Sequence, residues 1–306
     1  MTTLTETLES NLNNPVSSTE FDLYAALDGV LDGVGLRASD SGGKITFYGK
    51  DPIVSSRLRF GTMSAVSLAA KAVGAAAIWR FRSGGVGQDI HVDVRKALRR
   101  FAPFFEREWE RVNGHQASFA SDPENPFIQY PSMTLWHKTR DGRWIMPANI
   151  YPRLRARATT LLRCDDSVNA VQNAILQWRA DELETAAAVA GLPFAMLRTT
   201  EEFMKEIQYT EALSKEPLIR VEKIGESDPV PFKSGGKNPL DDVRALGMGH
   251  VIAGAGIGRD LALFAADVLN IWQPLDWELK IFYWTTCVAA ASNMSLLWAR
   301  AQSRSP

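Results

Sequence analysis

The amino-acid sequence predicts an α/β fold, with parallel sheet segments and a smaller α+β domain, and three stretches carry that prediction. Residues 245–274, ALGMGHVIAGAGIGRDLALFAADVLNIWQP, read as strand, small-residue turn, helix and second strand, the shape of a nucleotide-binding βαβ unit. Residues 62–82 form a long alanine-rich helical stretch that runs directly into a strand of period two. Residues 134–190 combine a hairpin with several short helices, as a smaller α+β domain would.

Taken along the chain, residues 1–20 carry no regular pattern and read as a flexible lead-in. Residues 20–35 place Phe21, Tyr24, Leu27 and Leu31 at helical spacing and stop at Gly33 and Gly35, so an amphipathic helix with a core face is expected. The helix over 62–82 closes on Ser83, Gly84 and Gly85, where a glycine takes the left-handed conformation that ends a helix. Residues 88–94 then alternate, turning Ile90, Val92 and Val94 inward and His91 and Asp93 to the other face. Residues 95–109 return to helical spacing. Their RKALRR run reads as a solvated face rather than a phosphate-binding patch, because Glu106, Glu108 and Glu110 stand beside it.

Residues 119–131 are rich in Asp, Asn and Pro and predict a loop. A hairpin follows over 134–147, turning at Asp141-Gly142 between Trp136 and Trp144. Helices are expected over 151–162, 170–178 and 180–190, with Asp181 in a capping place. Residues 227–239, SDPVPFKSGGKNP, lack periodicity and form the best linker, so the domain boundary falls there, between a half spanning 21–226 and a βαβ segment spanning 240–274. Within that segment the run Met248, Val251, Ile252 is the strand, 253–256 the turn, 260–266 a short helix and 267–272 the second strand. Residues 275–306 are a divergent apolar tail, read as a buried or partner-facing helix.

Bulk properties narrow the function. The 306 residues are 45% hydrophobic and 23% charged, enough for a full core, and 34 basic against 35 acidic residues give a net charge of -1. That balance offers no long-range pull toward nucleic acid or acidic membranes. Cys164 and Cys287 are far apart and have no ligand spacing, which suits a reducing compartment and a cytoplasmic location. Residues 1–20 lack the basic cluster and apolar stretch of a secretory signal. Residues 65–81 carry Lys71 and Gly74 and fall short of a bilayer span, so no membrane role is expected.

Few local constellations point to chemistry. His91, His115, His137 and His250 show no metal-ligand pairing, and the hydrolase elbow and the phosphotransferase signatures are missing. The acid pairs Asp165-Asp166 and Asp241-Asp242 stand beside turns or caps, where exposed carboxylates lack the tuning that catalysis needs. Gly256 and Gly258 would let a backbone approach a phosphate, yet with Gly254 they miss the G-x-G-x-x-G fingerprint, and a tight packed turn explains them as well.

Three pieces together resemble the family III CoA-transferases, the CaiB/BaiF group that includes formyl-CoA and carnitine-CoA transferases and the α-methylacyl-CoA racemases. They are the alanine-rich helix 65–79 running into RSGGVGQDIHVDV, the stretch from TRDGRWIMP to AGLPFAMLRTTEEFMKE, and PLDDVRALGMGHVIAGAGIGRDLALFAADVLNIWQP. The third is similar to the Rossmann-type segment with which ordinary members begin, so the order is inverted here, as in a long, fused branch that is apparently shortened. The resemblance covers roughly residues 21–274.

The resemblance implies a protein that moves CoA between acyl-CoA thioesters and carboxylic acids, with CoA thioester as substrate, no tightly bound cofactor, no metal, and a homodimer. It places His250, Ile252, Ala253 and Gly254 at the CoA contacts, with the Ala253 amide still able to serve. Polar groups are depleted there: Ile252, Ala255, Trp272 and Gln273 stand where members carry glutamine, proline, glutamate and arginine. The family's nucleophilic aspartate has no counterpart in the matching stretch Phe60-Gly61-Thr62-Met63-Ser64, so the catalytic residue is unknown. Two alternatives therefore stand beside the transferase: a catalytically silent CoA-binding or interaction subunit, and a racemase or isomerase using His91 with Asp93.

Overall fold

A computed structural model describes residues 4–13, 21–56, 58–101, 111–112, 115–116, 130–233, 236–248 and 253–271. It is a mixed α/β structure in which parallel strand pairs are joined by helices and a small antiparallel sheet carries its own helices.

The central element is helix α3 (Phe60–Arg82). Its alanines leave room for close approach, and Ala65, Val66, Ala69, Val73 and Ala76 bury one stripe against Leu27 and Leu31 of α2 (Leu23–Asp32), Ile90 and Val92 of β2 (Gln88–Asp93), and Val94 and Ala97 of α4 (Val94–Phe101). Asp22 caps α2 by accepting the amides of Tyr24 and Ala25 at 2.8 and 3.1 Å. Phe21 and Tyr24, expected in the core, are instead exposed: Arg59 lies 4.7 Å over the Phe21 ring, and Tyr24 stands edge-on to Phe47. By length and composition α3 is apolar enough to cross a bilayer, but eight of its residues are buried inside this fold.

Strand β1 (Gly42–Tyr48), which the sequence reading lacked, pairs in parallel with β2, so β1, α3 and β2 form a βαβ crossover. The register shifts between Gly42 and Ile45, where the two backbones nearly touch. A Cβ on Gly87 would fall inside the carbonyl of Gly42 and lie 3.0 Å from its Cα. The Gly-x-Gly-Gln turn is thus required by the packing of strand on strand. Gly84, at φ +74°, and Gly85, at φ +109°, supply the left-handed turn that leads out of α3.

The smaller unit is the antiparallel sheet of β5 (His137–Lys138), β6 (Trp144–Met146) and β7 (Ala195–Met196), covered by α5 (Pro152–Leu162), α6 (Val168–Ile175) and α7 (Ala180–Val189). The short strands β3 (Arg111–Val112) and β4 (His115–Gln116) precede it. Its core joins Met133, Ile145, Leu162, Val171, Ile175 and Leu183. The hairpin turns at Asp141-Gly142, with Gly142 at φ +78°. Asp181 does not cap α7: Arg179 holds that place, Glu182 reaches back to its amide, and Asp181 pairs with the Arg179 guanidinium at 3.2 Å. A one-turn helix, α8 (Thr200–Phe203), is capped by Thr199.

Two further expectations are corrected. The lead-in contains helix α1 (Leu4–Asn13), tied down by a 2.7 Å hydrogen bond between Thr5 Oγ1 and the Tyr209 hydroxyl. In the last unit β8 spans Arg244–Gly247, α9 spans Ala253–Leu263 and β9 spans Asp267–Asn270, so strand and helix both begin earlier than their patterns imply. The loop expected over 119–129, the end of the helix expected over 95–109 and the tail 275–306 lie outside the described residues.

Candidate functional site

Strands β8 and β9 pair in parallel, with Arg244 opposite Asp267 and Gly247 opposite Asn270, and α9 forms the crossover between them. Val268 is buried with Leu240 and Ala266, and Ala245, Leu261, Ala262 and, from α3, Ile78 pack against that cluster. Gly254 and Gly258 are four residues apart and therefore share a face of α9. The turn expected over 253–256, with Gly256 and Gly258 as possible phosphate neighbours, is not formed: all three glycines lie within the helix itself. With no side chains to fill the gap, a cavity of about 190 Å³ remains between helix and strands, lined by Gly247, Met248, Gly254, Ile257, Gly258 and Leu261 among others. Among the described residues its walls carry no ionisable side chain. Polar contact is left to the backbone, above all to the first amides of α9, which have no partner inside the helix.

Of the residues expected to contact CoA, Ala253 and Gly254 are the first two of α9, and Gly254 lines the cavity. His250 and Ile252 lie outside the described residues.

A second group, missed in the sequence, stands at the start of α3. The carboxylate of Asp51 reaches the stretch 60–64 from eleven residues upstream: Oδ2 accepts the Thr62 amide at 2.6 Å and Oδ1 accepts the Ile53 amide at 3.3 Å. Gly61 makes room for it, since a Cβ there would stand 2.8 Å from Asp51 Oδ1 and 2.7 Å from Ile53 Cδ1. The stretch that lacks a carboxylate in sequence therefore has one in space. The only sequence signal was an Asp-Pro pair, which marks a turn but not which helix its carboxylate will meet.

Both features stand at the amino ends of helices, Asp51 at that of α3 and the glycines at that of α9. Lys71 of α3 pairs with Asp260 of α9 at 3.0 Å. At the carboxyl ends Arg82 of α3 donates to the Asp241 carbonyl while the neighbouring Leu240 amide donates to the carbonyl of Phe264, just past α9, so α3 and α9 advance in the same sense. At about 1.5 Å per residue, Thr62 lies roughly 13 Å back from Lys71 and Ala253 roughly 10 Å back from Asp260. The amino ends of both helices and the carboxyl ends of β1 and β8 thus point the same way, toward the end at which α/β units place their ligands.

The remaining candidates are committed elsewhere. His137 is buried, with Nε2 2.7 Å from the Ser132 carbonyl and Nδ1 3.3 Å from Gln172, which makes it a structural residue of the small unit. Asp166 accepts from Ser132 at 2.6 Å and pairs with Arg155 at 3.0 Å. Asp241 accepts the Lys237 and Asn238 amides at 2.5 and 2.9 Å, and its side-chain bond to Asn238 heads the contacts that hold its carboxyl below the usual range. Asp93 shares its strand face with His91, but the Arg95 guanidinium at 2.9 Å holds its carboxyl down to about 2. Burial, with Asp165 and Asp166 nearby, pushes the Cys164 thiol up, away from the reactive thiolate. Among the described residues no group of three or more His, Cys, Asp or Glu is placed to hold a metal ion.

No family model and no curated protein sequence matches the chain. Among solved structures, a hypothetical protein from Mycobacterium tuberculosis, Rv3272, is similar at 17% identity and a TM-score of 0.38, covering 65% of this chain and 53% of its own. A CaiB/BaiF family protein from Brucella suis is similar at 16% identity and a TM-score of 0.34, covering 57% of this chain and 50% of its own. The chain therefore spans about half the length of the solved structures it matches, and likeness at this level assigns no activity.

Proposed function

We propose that the chain is a family III CoA-transferase-like protein that moves CoA between acyl-CoA thioesters and carboxylic acids, with Asp51 supplying the carboxylate that the sequence appeared to lack. The observation that carries this reading is the placement of the Asp51 carboxylate at the amino end of α3, in the stretch where the family's nucleophile is expected. The three-piece sequence resemblance supports the same conclusion. In this reading Ala253 and Gly254 contact CoA, acyl-CoA and carboxylic acids are the small-molecule partners, and a cytoplasmic homodimer is the working assembly.

The chemistry follows from the carboxylate. Asp51 attacks the thioester carbonyl, the C–S bond breaks, and CoA leaves as thiolate from a mixed anhydride. The thiolate then attacks the aspartyl carbonyl of that anhydride and releases the first acid as its carboxylate. Attack by the second carboxylate on the aspartyl thioester expels the thiolate again. The thiolate closes the cycle on the new acyl carbonyl and frees Asp51. For the first step Asp51 must exchange its hydrogen bond with the Thr62 amide for the substrate, which costs part of a charge-assisted contact.

Asp51→Asn tests this directly. The exchange of CoA between acetyl-CoA and a panel of carboxylates is expected to fall by about a thousandfold or more, while calorimetric binding of CoA is retained. Hydroxylamine should trap a hydroxamate on the Asp51 peptide of the wild-type protein. Undiminished exchange in the variant would remove Asp51 from the reaction, and absence of CoA binding in the wild type would remove the whole reading.

One observation favours the silent CoA-binding subunit: both oxygens of Asp51 are already satisfied by backbone amides, as in a purely structural helix cap. That alternative requires CoA binding without turnover in the wild-type chain. The racemase reading gains no such support, because Asp93 is held by Arg95.

A further inference from the structure

We infer that Arg82 is a latch that seats the 240–271 unit on α3, so that the last residue of the long helix decides whether that unit is held or free. The Arg82 side chain is only 3% exposed. One Nη donates to the Asp241 carbonyl at 2.9 Å, the other to the Lys233 carbonyl at 3.3 Å, and the Asp242 carboxylate stands 3.9 Å away. The guanidinium carbon lies 4.9 Å from the centre of the Phe232 ring. On another side the backbone at Gly236 passes so close that a Cβ there would meet Cζ at 3.0 Å and Nε at 3.2 Å.

A single planar group thus holds both ends of the chain between Lys233 and Asp241. Arginine suits the place because its rigid fork serves two carbonyls while its face stacks on an aromatic ring, and a lysine offers neither. The grip matters because the unit beyond it has a small core of its own. Its buried core is Leu240, Ala266 and Val268, and a two-stranded sheet of that size does not hold itself together. Its described ties to α3 include Ile78 and the Lys71–Asp260 ion pair, whose side chains are 28% and 38% exposed. The residues read in sequence as a linker are thus clamped at Lys233 and again, just past their end, at Asp241.

Limited trypsin digestion of the full chain, followed by mass spectrometry, tests the latch. Lys223 lies in an exposed segment outside the clamped stretch and serves as an internal reference, while Lys233 and Lys237 lie within it. In Arg82→Gln, cleavage after Lys233 and Lys237 is expected to rise at least tenfold relative to cleavage after Lys223. Arg82→Lys should behave in the same way, because charge without the fork does not restore the grip. Gly236→Val, which fills the space of the guanidinium and leaves α3 untouched, should reproduce the effect and serves if the Arg82 variants do not fold. Unchanged ratios in these proteins, or equal acceleration at all three lysines, would overturn the latch. The test requires no CoA, so its failure is separate from any failure of the transferase reading.

Discussion

Replacing Gly87 by alanine should destabilise the protein more than its size suggests. The residue has no left-handed backbone requirement, so alanine is conformationally acceptable there and the whole cost comes from crowding. Its Cβ would overlap the Gly42 carbonyl and lie 3.0 Å from the Gly42 Cα, both parts of a backbone that pairs Gly42 with Gln88. Neither atom belongs to a flexible side chain, so the strands must separate or the pairing must slip. Overpacking of this kind costs about 1–3 kcal/mol. A chain of this size loses roughly 2–4 °C of Tm per kcal/mol, giving a drop of about 2–12 °C.

Differential scanning calorimetry of wild type and Gly87→Ala measures the drop, with two glycines as controls. Gly29→Ala, inside α2 with nothing within 4 Å, should raise stability by up to about 1 kcal/mol. Gly85→Ala, equally uncrowded but at φ +109°, should cost about 1–3 kcal/mol from backbone strain alone. A Gly87→Ala protein melting within a degree of the wild type would refute the crowding argument and return the Gly-x-Gly-Gln turn to the candidates for ligand contact.

Other outcomes follow from the same structure. The side-chain bond from Arg143 and the Thr199 amide hold the Glu202 carboxyl down to about 2 from 4.5. Its stabilising contribution is therefore present above pH 4.5 and lost as pH falls toward 2, so the Tm gap between wild type and Glu202→Gln at pH 7 should close across that window; a gap constant with pH would refute the assignment. Asp51→Ala should lower stability by about 1 kcal/mol in urea unfolding, as loss of a helix cap does, and no change would show that the Thr62 contact is not a cap. Leu183→Ala, fully buried in the small unit, should cost about 2–5 kcal/mol in the same assay, and a cost below 1 kcal/mol would mean that this core is loosely packed.

The sequence exposed those parts of the fold whose signal is local. Alanine and valine spacing marked α3, strict alternation marked β2, and Asp141-Gly142 marked the hairpin. Signals that depend on distant partners stayed hidden. Strand β1 carried a local signal too, the β-branched and aromatic run Ile45-Thr46-Phe47-Tyr48 between glycines, which went unread; only its pairing with β2, across the whole of α3, is non-local. In the βαβ unit, glycine's poor helix propensity made 253–256 look like a turn, whereas those residues open α9, whose Leu261 and Ala262 anchor it to the core around Val268. The site divides the same way: Ala253 and Gly254 could be named from pattern, but Asp51 becomes a candidate only when its carboxylate meets Thr62 from another loop. Cap rules consult the residue beside a helix, and here that residue is Arg59, which makes no capping bond.

Helix α3 has consequences for anyone who would dissect or transplant this protein. One of its flanks packs with β1 and β2, while Ile78 and Arg82 are sealed by residues from beyond position 231. A fragment cut at the compositional boundary near residue 227 would carry a raw apolar spot and a stranded cation on its longest helix. The other fragment would be a pair of strands and one helix with no wall to lean on. The division visible in composition is therefore not a seam along which the molecule can be taken apart, and expression or swapping experiments should keep α3 together with everything through β9.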